Sequence, residues 1–416
     1  MNKLIVMPGN LDKVFFLNEI DTINKHFDQV VVISYPGDKK IYEEISKKYK
    51  FKYYTVPKFS IKALINLSTL RTIFSRHIIR EIFYLIKERR KVVSRLAYMV
   101  HYILFMINGR RLVEKEIKNS PESNICLYSY WLSRGGYLVA TFNRNRGRYK
   151  NLKLILSRAH GFDLYEERNN KKYLPFRTYI NNNLDEIHFI SEDGMNYFKG
   201  KHKGGARKTI TRLGTRRYIK SRNKKITDKK TLSIASCSTI GRVKRLDIII
   251  DVLSSLEMPF LWIHLGSGQE KFQRQVEEYA ANKLKDKSYK FIGQVSNAEV
   301  LDIYDKYQVD YFINMSDSEG VPVSMMEAMS MGIPVIARNV GGISEILSND
   351  RGILLDNISD REKTYQQINE FIKTSSKDDN LYSSLQEECI KTWERDYNAE
   401  RNYDEFFKAI VNKIAN

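Results

Sequence analysis

The chain has 416 residues, which at roughly 100–200 residues per domain makes two or three domains, each long enough for a large core. Its 42% hydrophobic content excludes a mainly disordered protein, and its formal charge of +20 points to an anionic partner: a membrane surface, a nucleic acid or a phosphorylated substrate. Three distant cysteines, Cys126, Cys237 and Cys389, stand in no metal-ligand spacing; they fit a reducing compartment and imply neither a disulfide nor zinc.

In chain order, MNKLIVMPGN has too short an apolar run for a secretory signal peptide and reads as a first strand, Leu4 to Met7, entering the turn Pro8, Gly9, Asn10. Further strands are expected at residues 29–34, 52–56, 124–128, 152–157 and 186–190, with helical stretches between them. Residues 58–118 interleave Arg71, Arg76, Arg80, Lys87, Arg89, Arg90, Lys91, Arg95, Arg110 and Arg111 with Ile, Leu, Phe and Tyr. A helix of that pattern can lie in the interface of an anionic bilayer, or can cover a sheet with its apolar side and leave its basic side to water. The apolar run from Leu96 to Ile107 falls short of the roughly 18–20 residues that span a bilayer, so the chain is not expected to cross one by itself. After the strand at 152–157 comes SRAHGFDLYEER, which puts His160, Gly161 and Asp163 on a strand-end loop.

The charge-rich stretch 216–230 has no apolar periodicity and reads as a linker. Strands then recur at 231–236, 260–265, 290–293, 309–315, 334–337 and 353–355. Strand and helix alternate twice over, so the fold class is α/β with one parallel sheet in each half. In the second half, Gly241, Arg242 and Lys244 fall between a strand and a helix, where a lysine can point at phosphates. Gly266 and Gly293 follow strand ends. Glu319 sits on the loop Ser316 to Pro322, and Glu327, eight residues on, lies about one turn into the next helix. That helix start offers unpaired N–H groups and a partial positive charge suited to a diphosphate, while Glu327 can accept two hydrogen bonds from a ribose diol. Glu319 can reach hydroxyls or oppose developing positive charge, and Gly320 lets backbone approach a ligand. Acidic residues near a helix start are also what helix electrostatics alone favours.

The full string, with Glu-Gly-Val-Pro-Val-Ser at 319–324, Glu-Ala-Met at 327–329, Gly-Ile-Pro-Val-Ile-Ala at 332–337 and Gly-Gly-Ile-Ser-Glu at 341–345, closely resembles the signature of the retaining glycosyltransferases of family 4. The resemblance implies the GT-B architecture, two Rossmann-like domains facing a cleft: 1–215 with a returning helix at 395–416 on the acceptor side, and 216–394 binding a nucleotide-sugar. It implies catalytic roles beside the donor sugar for Glu319 and His160, and a ribose contact for Glu327. Gly320, Val321, Pro322, Val323 and Ser324 would line the donor site, and Gly266 and Gly293 would border the base and diphosphate. Lys244 matches the family's phosphate-binding lysine; Thr239 stands where an arginine is usual, with Arg242 as its substitute. Gly9 and Asn10 correspond to a loop between acceptor and donor phosphate, and Asp163 to the acceptor side.

His-Gly-Phe-Asp-Leu-Tyr-Glu-Glu-Arg at 160–168, LPFR at 174–177 and ISEDG at 190–194 look like the branch that builds bacterial exopolysaccharide, capsule and lipopolysaccharide. The expected acceptor is therefore a glycan, lipid-linked, and the expected place is cytoplasmic, peripheral on the inner face of the plasma membrane. No Asp-x-Asp triplet occurs and protein cations already face the diphosphate, so no metal is expected; the nucleotide-sugar is a substrate, and no cofactor is expected either. Two other classes stay open: a basic membrane- or nucleic-acid-binding protein on a Rossmann-like scaffold, which the charge suggests, and a GT-B epimerase or phosphorylase.

Overall fold

The computed structural model describes residues 1–9, 16–35, 39–57, 75–217, 225–356 and 359–415. Asn10, and residues 218–224 of the expected linker, lie outside the described residues. The chain divides into two units, Met1–Thr211 with Tyr403–Asn416, and Arg212–Asn402.

In the first unit the strands are β1 (Asn2–Gly9), β2 (Gln29–Ser34), β3 (Lys52–Thr55), β4 (Asn124–Ser129), β5 (Leu152–Ala159), β6 (Glu186–Phe189) and β7 (Arg207–Ile210), in the spatial order β3-β2-β1-β4-β5-β6-β7. All neighbours are parallel. Leu4, Ile5, Val6 and Met7 in β1 are wholly buried, as a parallel strand covered on both faces must be. The edge strand β7 (RKTI) was not expected from sequence: it is short and half basic, so alternation does not mark it, and only its backbone ladder to β6 does.

A 27-residue helix, Val92–Lys118, extends beyond the expected apolar run at both ends. By length and composition it would suffice to cross a bilayer, yet Met99, Tyr102, Ile103, Met106, Val113 and Ile117 recur at helical spacing and are buried in the first unit's core. Arg95 on it donates to the carbonyls of Lys171 and Lys172, both at 3.0 Å. A second buried charge is neutralised in place: Arg158 on β5 and Glu19 in the helix Phe16–His26 pair directly, both fully buried. The Arg158 guanidinium also lies 4.5 Å from the Phe406 ring of the C-terminal helix Ala399–Ala415.

The second unit repeats the scheme with β8 (Leu232–Cys237), β9 (Phe260–Leu265), β10 (Ser288–Gly293), β11 (Tyr311–Asn314), β12 (Val335–Arg338) and β13 (Gly352–Leu355), in the parallel order β10-β9-β8-β11-β12-β13. In each sheet the order reverses at one place, between β1 and β4 and between β8 and β11, and the crevice at the carboxyl ends of those strands is where open α/β sheets hold ligands. The unit begins at Arg212 rather than 216 and keeps residues 395–402, because Thr215 pairs with Asn398, accepts from Trp393 Nε1 at 2.8 Å, and Leu213 O accepts from Asn402 at 3.0 Å.

Candidate active site

In the second unit the reversal brings the loop after β8 against the loop after β11. The backbone N–H of Asp317 donates to Val243 O at 2.8 Å, and Lys244 Nζ lies 2.6 Å from Glu319 Oε1. Seventy-five residues separate these two side chains in sequence; the strand order alone makes them neighbours. Asn314, the last residue of β11, donates from Nδ2 to the same Glu319 oxygen at 3.5 Å, and its side-chain Oδ1 accepts from the Ser316 N–H at 2.9 Å.

The helix expected after the loop runs Val323–Ser330, with Pro322 at its N-cap. Val321 and Pro322 are buried, whereas Val323 and Ser324 are half-buried at the helix start, where the first N–H groups have no intrahelical acceptor. Glu327 is 5% exposed, touched by Asn297 Nδ2 at 3.4 Å. Burial pushes its carboxyl up to about 8, against the lowering by Asn297. Burial likewise pushes the Cys237 thiol up to about 12, and that thiol, at the end of β8, feels both Glu327 and Lys244. The three expected donor-site side chains, Glu319, Glu327 and Lys244, thus gather around the carboxyl end of one strand.

The neighbouring loops are stitched to this one. Ser238 N–H donates to Leu265 O, Ile240 N–H to Ser267 O, and Gly266 N–H to Gly293 O, at 2.8–2.9 Å. Gly266 holds φ +128°, and a Cβ there would lie 1.9 Å from Ser238 O, so no other residue fits. Gly293 sits at the same rim. A cavity of about 820 Å³ opens between the β8 and β9 loops, lined by Thr239, Gly241, Arg242, Ser267, Gly268 and Lys271. The exposed Arg242 also borders a second cavity of about 520 Å³ beside Arg245 and Asp317, so it presents its charge from within the loop that carries Lys244.

Sequence reading missed what fixes the Glu319 loop. Asp317 pairs with Arg245 at 3.2 Å and with Arg338 at the end of β12, and Gly320 follows it into the turn before Pro322. The motif places Asp317 beside Glu319, but its two arginine partners come from other loops and became neighbours only through the sheet order. Asn297 was missed for the same reason. No group of three or more His, Cys, Asp or Glu side chains suited to a metal ion occurs among the described residues.

In the first unit His160, 4% exposed, stacks on Tyr130 at 4.9 Å and lies 4.3 Å from the Trp131 ring. Gly9, at φ +84°, comes within 3.3 Å of Trp131 Cδ1 measured from an added Cβ, so the turn after β1, the loop after β4 and the loop after β5 meet at this sheet's own reversal. Asp163 is 3% exposed and its two oxygens accept from the backbone N–H of His160 at 2.7 Å and of Leu132 at 2.5 Å. Its carboxylate holds two loops together; Arg177 braces the same junction by donating to Leu132 O and Asp163 O. Tyr130 and Trp131 were not singled out in the sequence, although they directly follow a strand that proved to sit at the reversal.

Residues 218–388 match the family model described as Glycosyl transferases group 1. The O-antigen biosynthesis glycosyltransferase WbnH of Escherichia coli is 29% identical over 124 residues, 29% of this chain; the match spans 33% of that relative's length. Over nearly the whole of both chains the structure is similar to that of Anabaena Alr3699/HepE in complex with UDP and glucose, with TM-score 0.67, 13% identity and coverage of 99% and 100%. It is similar also to the apo form of the lipopolysaccharide outer core galactosyltransferase WaaB, with TM-score 0.64, 14% identity and 99% of each chain covered. The chain therefore has the GT-B fold, and its second unit resembles the group 1 glycosyl transferases.

Proposed function

We propose that this protein is a retaining glycosyltransferase that moves a sugar from a UDP- or GDP-sugar to a glycan acceptor, lipid-linked, in the synthesis of a bacterial surface polysaccharide. The observation that carries the reading is the 2.6 Å contact of Lys244 with Glu319 at the reversal of the second sheet, with Glu327 buried one turn into the adjoining helix. The names of the relatives, one acting in O-antigen synthesis and one seen with UDP and glucose, support the polysaccharide and nucleotide-sugar parts.

In this mechanism Glu327 accepts from the ribose diol and the diphosphate lies on the Val323 and Ser324 N–H groups. As the bond from the anomeric carbon to the phosphate oxygen breaks, Lys244, with Arg242 beside it, meets the charge that develops on the leaving group. Glu319, displaced from Lys244 by the diphosphate, turns its carboxylate toward the sugar and opposes positive charge at the anomeric carbon. The acceptor hydroxyl attacks from the face the phosphate leaves, giving up its proton to the departing phosphate oxygen, so configuration is retained. For His160, fixed in the first unit by Tyr130, Trp131 and the Asp163 clamp, the family resemblance implies a donor-sugar contact, and for Gly9 a place on the acceptor loop. These cations serve in place of a metal, and no cofactor takes part.

The proposed place is the cytoplasmic face of the plasma membrane, where lipid-linked acceptors are at hand. Thermal-shift screening of UDP-, GDP- and ADP-sugars identifies the donor, since a ligand bound only by the native state raises apparent stability. Product NMR then decides the stereochemistry: an inverted anomeric centre overturns the retaining assignment, and turnover abolished by EDTA overturns metal independence. Sugar epimerised or phosphorolysed without an acceptor would replace the transfer reading altogether.

A further inference from the structure

Among the described residues, six of the eleven exposed large hydrophobic side chains fall between positions 79 and 100: Ile79, Phe83, Tyr84, Ile86, Val93 and Val100. The helix Arg76–Glu88 carries the first four, and its core-facing side is already satisfied. Ile78 and Leu85 are buried in the first unit with Ile82 packed against them, and Glu81 accepts from the Tyr173 hydroxyl at 2.6 Å and the Phe176 N–H at 3.0 Å. Ile79, Phe83 and Ile86, spaced four and three apart, make a second apolar stripe on the outer side. Phe83 keeps 67% and Ile86 53% of its surface exposed, and a contiguous stripe of that kind, unlike scattered single residues, marks an interaction site.

Charge surrounds it. Arg76, Arg80, Lys87, Arg89, Arg90 and Lys91 are exposed here, against one exposed acid, Glu88. Arg89 and Lys91 hold φ +52° and +44°, so the turn that ends the helix keeps two long cations at positions where glycine fits more easily.

We propose that the helix Arg76–Glu88 and the turn Arg89–Lys91 form the surface by which this protein docks on an anionic lipid bilayer, with Ile79, Phe83 and Ile86 entering the acyl boundary and the six cations meeting the headgroups. The apolar stripe decides between polyanions: a nucleic acid would pair with the cations and leave that stripe in water. This deepens the functional reading by naming its membrane contact, and it is tested without any sugar transfer.

The test is co-sedimentation of the full chain with vesicles of phosphatidylcholine alone or with about 30% phosphatidylglycerol, at low and high salt. The expected result is binding to the anionic vesicles only, weakened by salt. Replacing both Phe83 and Ile86 by Ser abolishes it, each of Arg89→Ser and Arg90→Ser lowers partitioning about fivefold, and Leu381→Ser, exposed on the other unit, changes nothing. Binding that all variants share, binding to neutral vesicles alone, or a shift with nucleic acid but not with vesicles overturns the proposal. Thermal unfolding of each variant shows that the fold is kept, because every substituted side chain faces water. Failure of the wild-type chain to bind any nucleotide-sugar would speak against the transfer reading and leave the vesicle result standing.

Discussion

Replacing Glu327 by Gln separates what this side chain does for the ligand from what it costs the fold. Burial raises its carboxyl from an ordinary 4.5 to about 8, so between those values the native state keeps a proton that the unfolded chain gives up. Stability from this group is full below pH 4.5 and is lost as pH rises to 8. At about 1.4 kcal/mol per unit, the 2.5 units from 4.5 to 7 amount to about 3 kcal/mol, and the full 3.5 units to about 5 kcal/mol. Glu327→Gln keeps an oxygen for Asn297 and removes the titration. The variant should match the parent near pH 4.5 and exceed it by about 3 kcal/mol at pH 7 and about 5 kcal/mol at pH 9. Urea unfolding read through Trp262 and Trp393, both buried in the second unit, measures this across pH 5–9. Nucleotide affinity should move the other way, rising with pH toward 8 in the parent as the ribose-binding carboxylate ionises, and staying weak and flat in the variant. Parallel stability curves for the two proteins would refute the burial argument, and an equal pH slope of nucleotide binding would refute the ribose role.

Glu319→Ala should not weaken UDP binding, since it frees Lys244, while turnover falls about 100-fold; equal loss of both contradicts the division of roles. Gly266→Ala should destabilise the second unit by about 1–3 kcal/mol, because a Cβ 1.9 Å from Ser238 O forces the β8 and β9 loops apart; an unchanged Tm refutes the close contact. Glu19→Leu strands the buried Arg158 and should cost about 3–5 kcal/mol, whereas Glu19→Leu with Arg158→Met should recover most of it; additive losses in the urea midpoint would deny the pairing.

The alternation of strand and helix was legible because parallel strands covered on both faces are written as unbroken apolar runs, as Leu4 to Met7 and Val30 to Ile33 are. Arg207–Ile210 escaped because an edge strand is held by its ladder and needs no apolar run. Glu319 and Glu327 could be found because loop and helix put them in one continuous segment. Trp131 beside His160, and Arg338 beside Asp317, could not, since each pairing is made by the order of strands in a sheet, which periodicity does not encode. The basic segment before Val92 was legible as amphipathic but not in its orientation: both Ile78 with Leu85 and Ile79 with Phe83 satisfy helical spacing, and only packing shows which pair meets the core.

Lys244 is matched by an internal carboxylate, Glu319, 2.6 Å away. A chloride or an inorganic phosphate arriving there must evict an internal carboxylate and gains only one cation for doing so. A pyrophosphate ester can grip the lysine and the opening turn of the helix together, so the pairing of Glu319 with Lys244 favours a long anion over a small one.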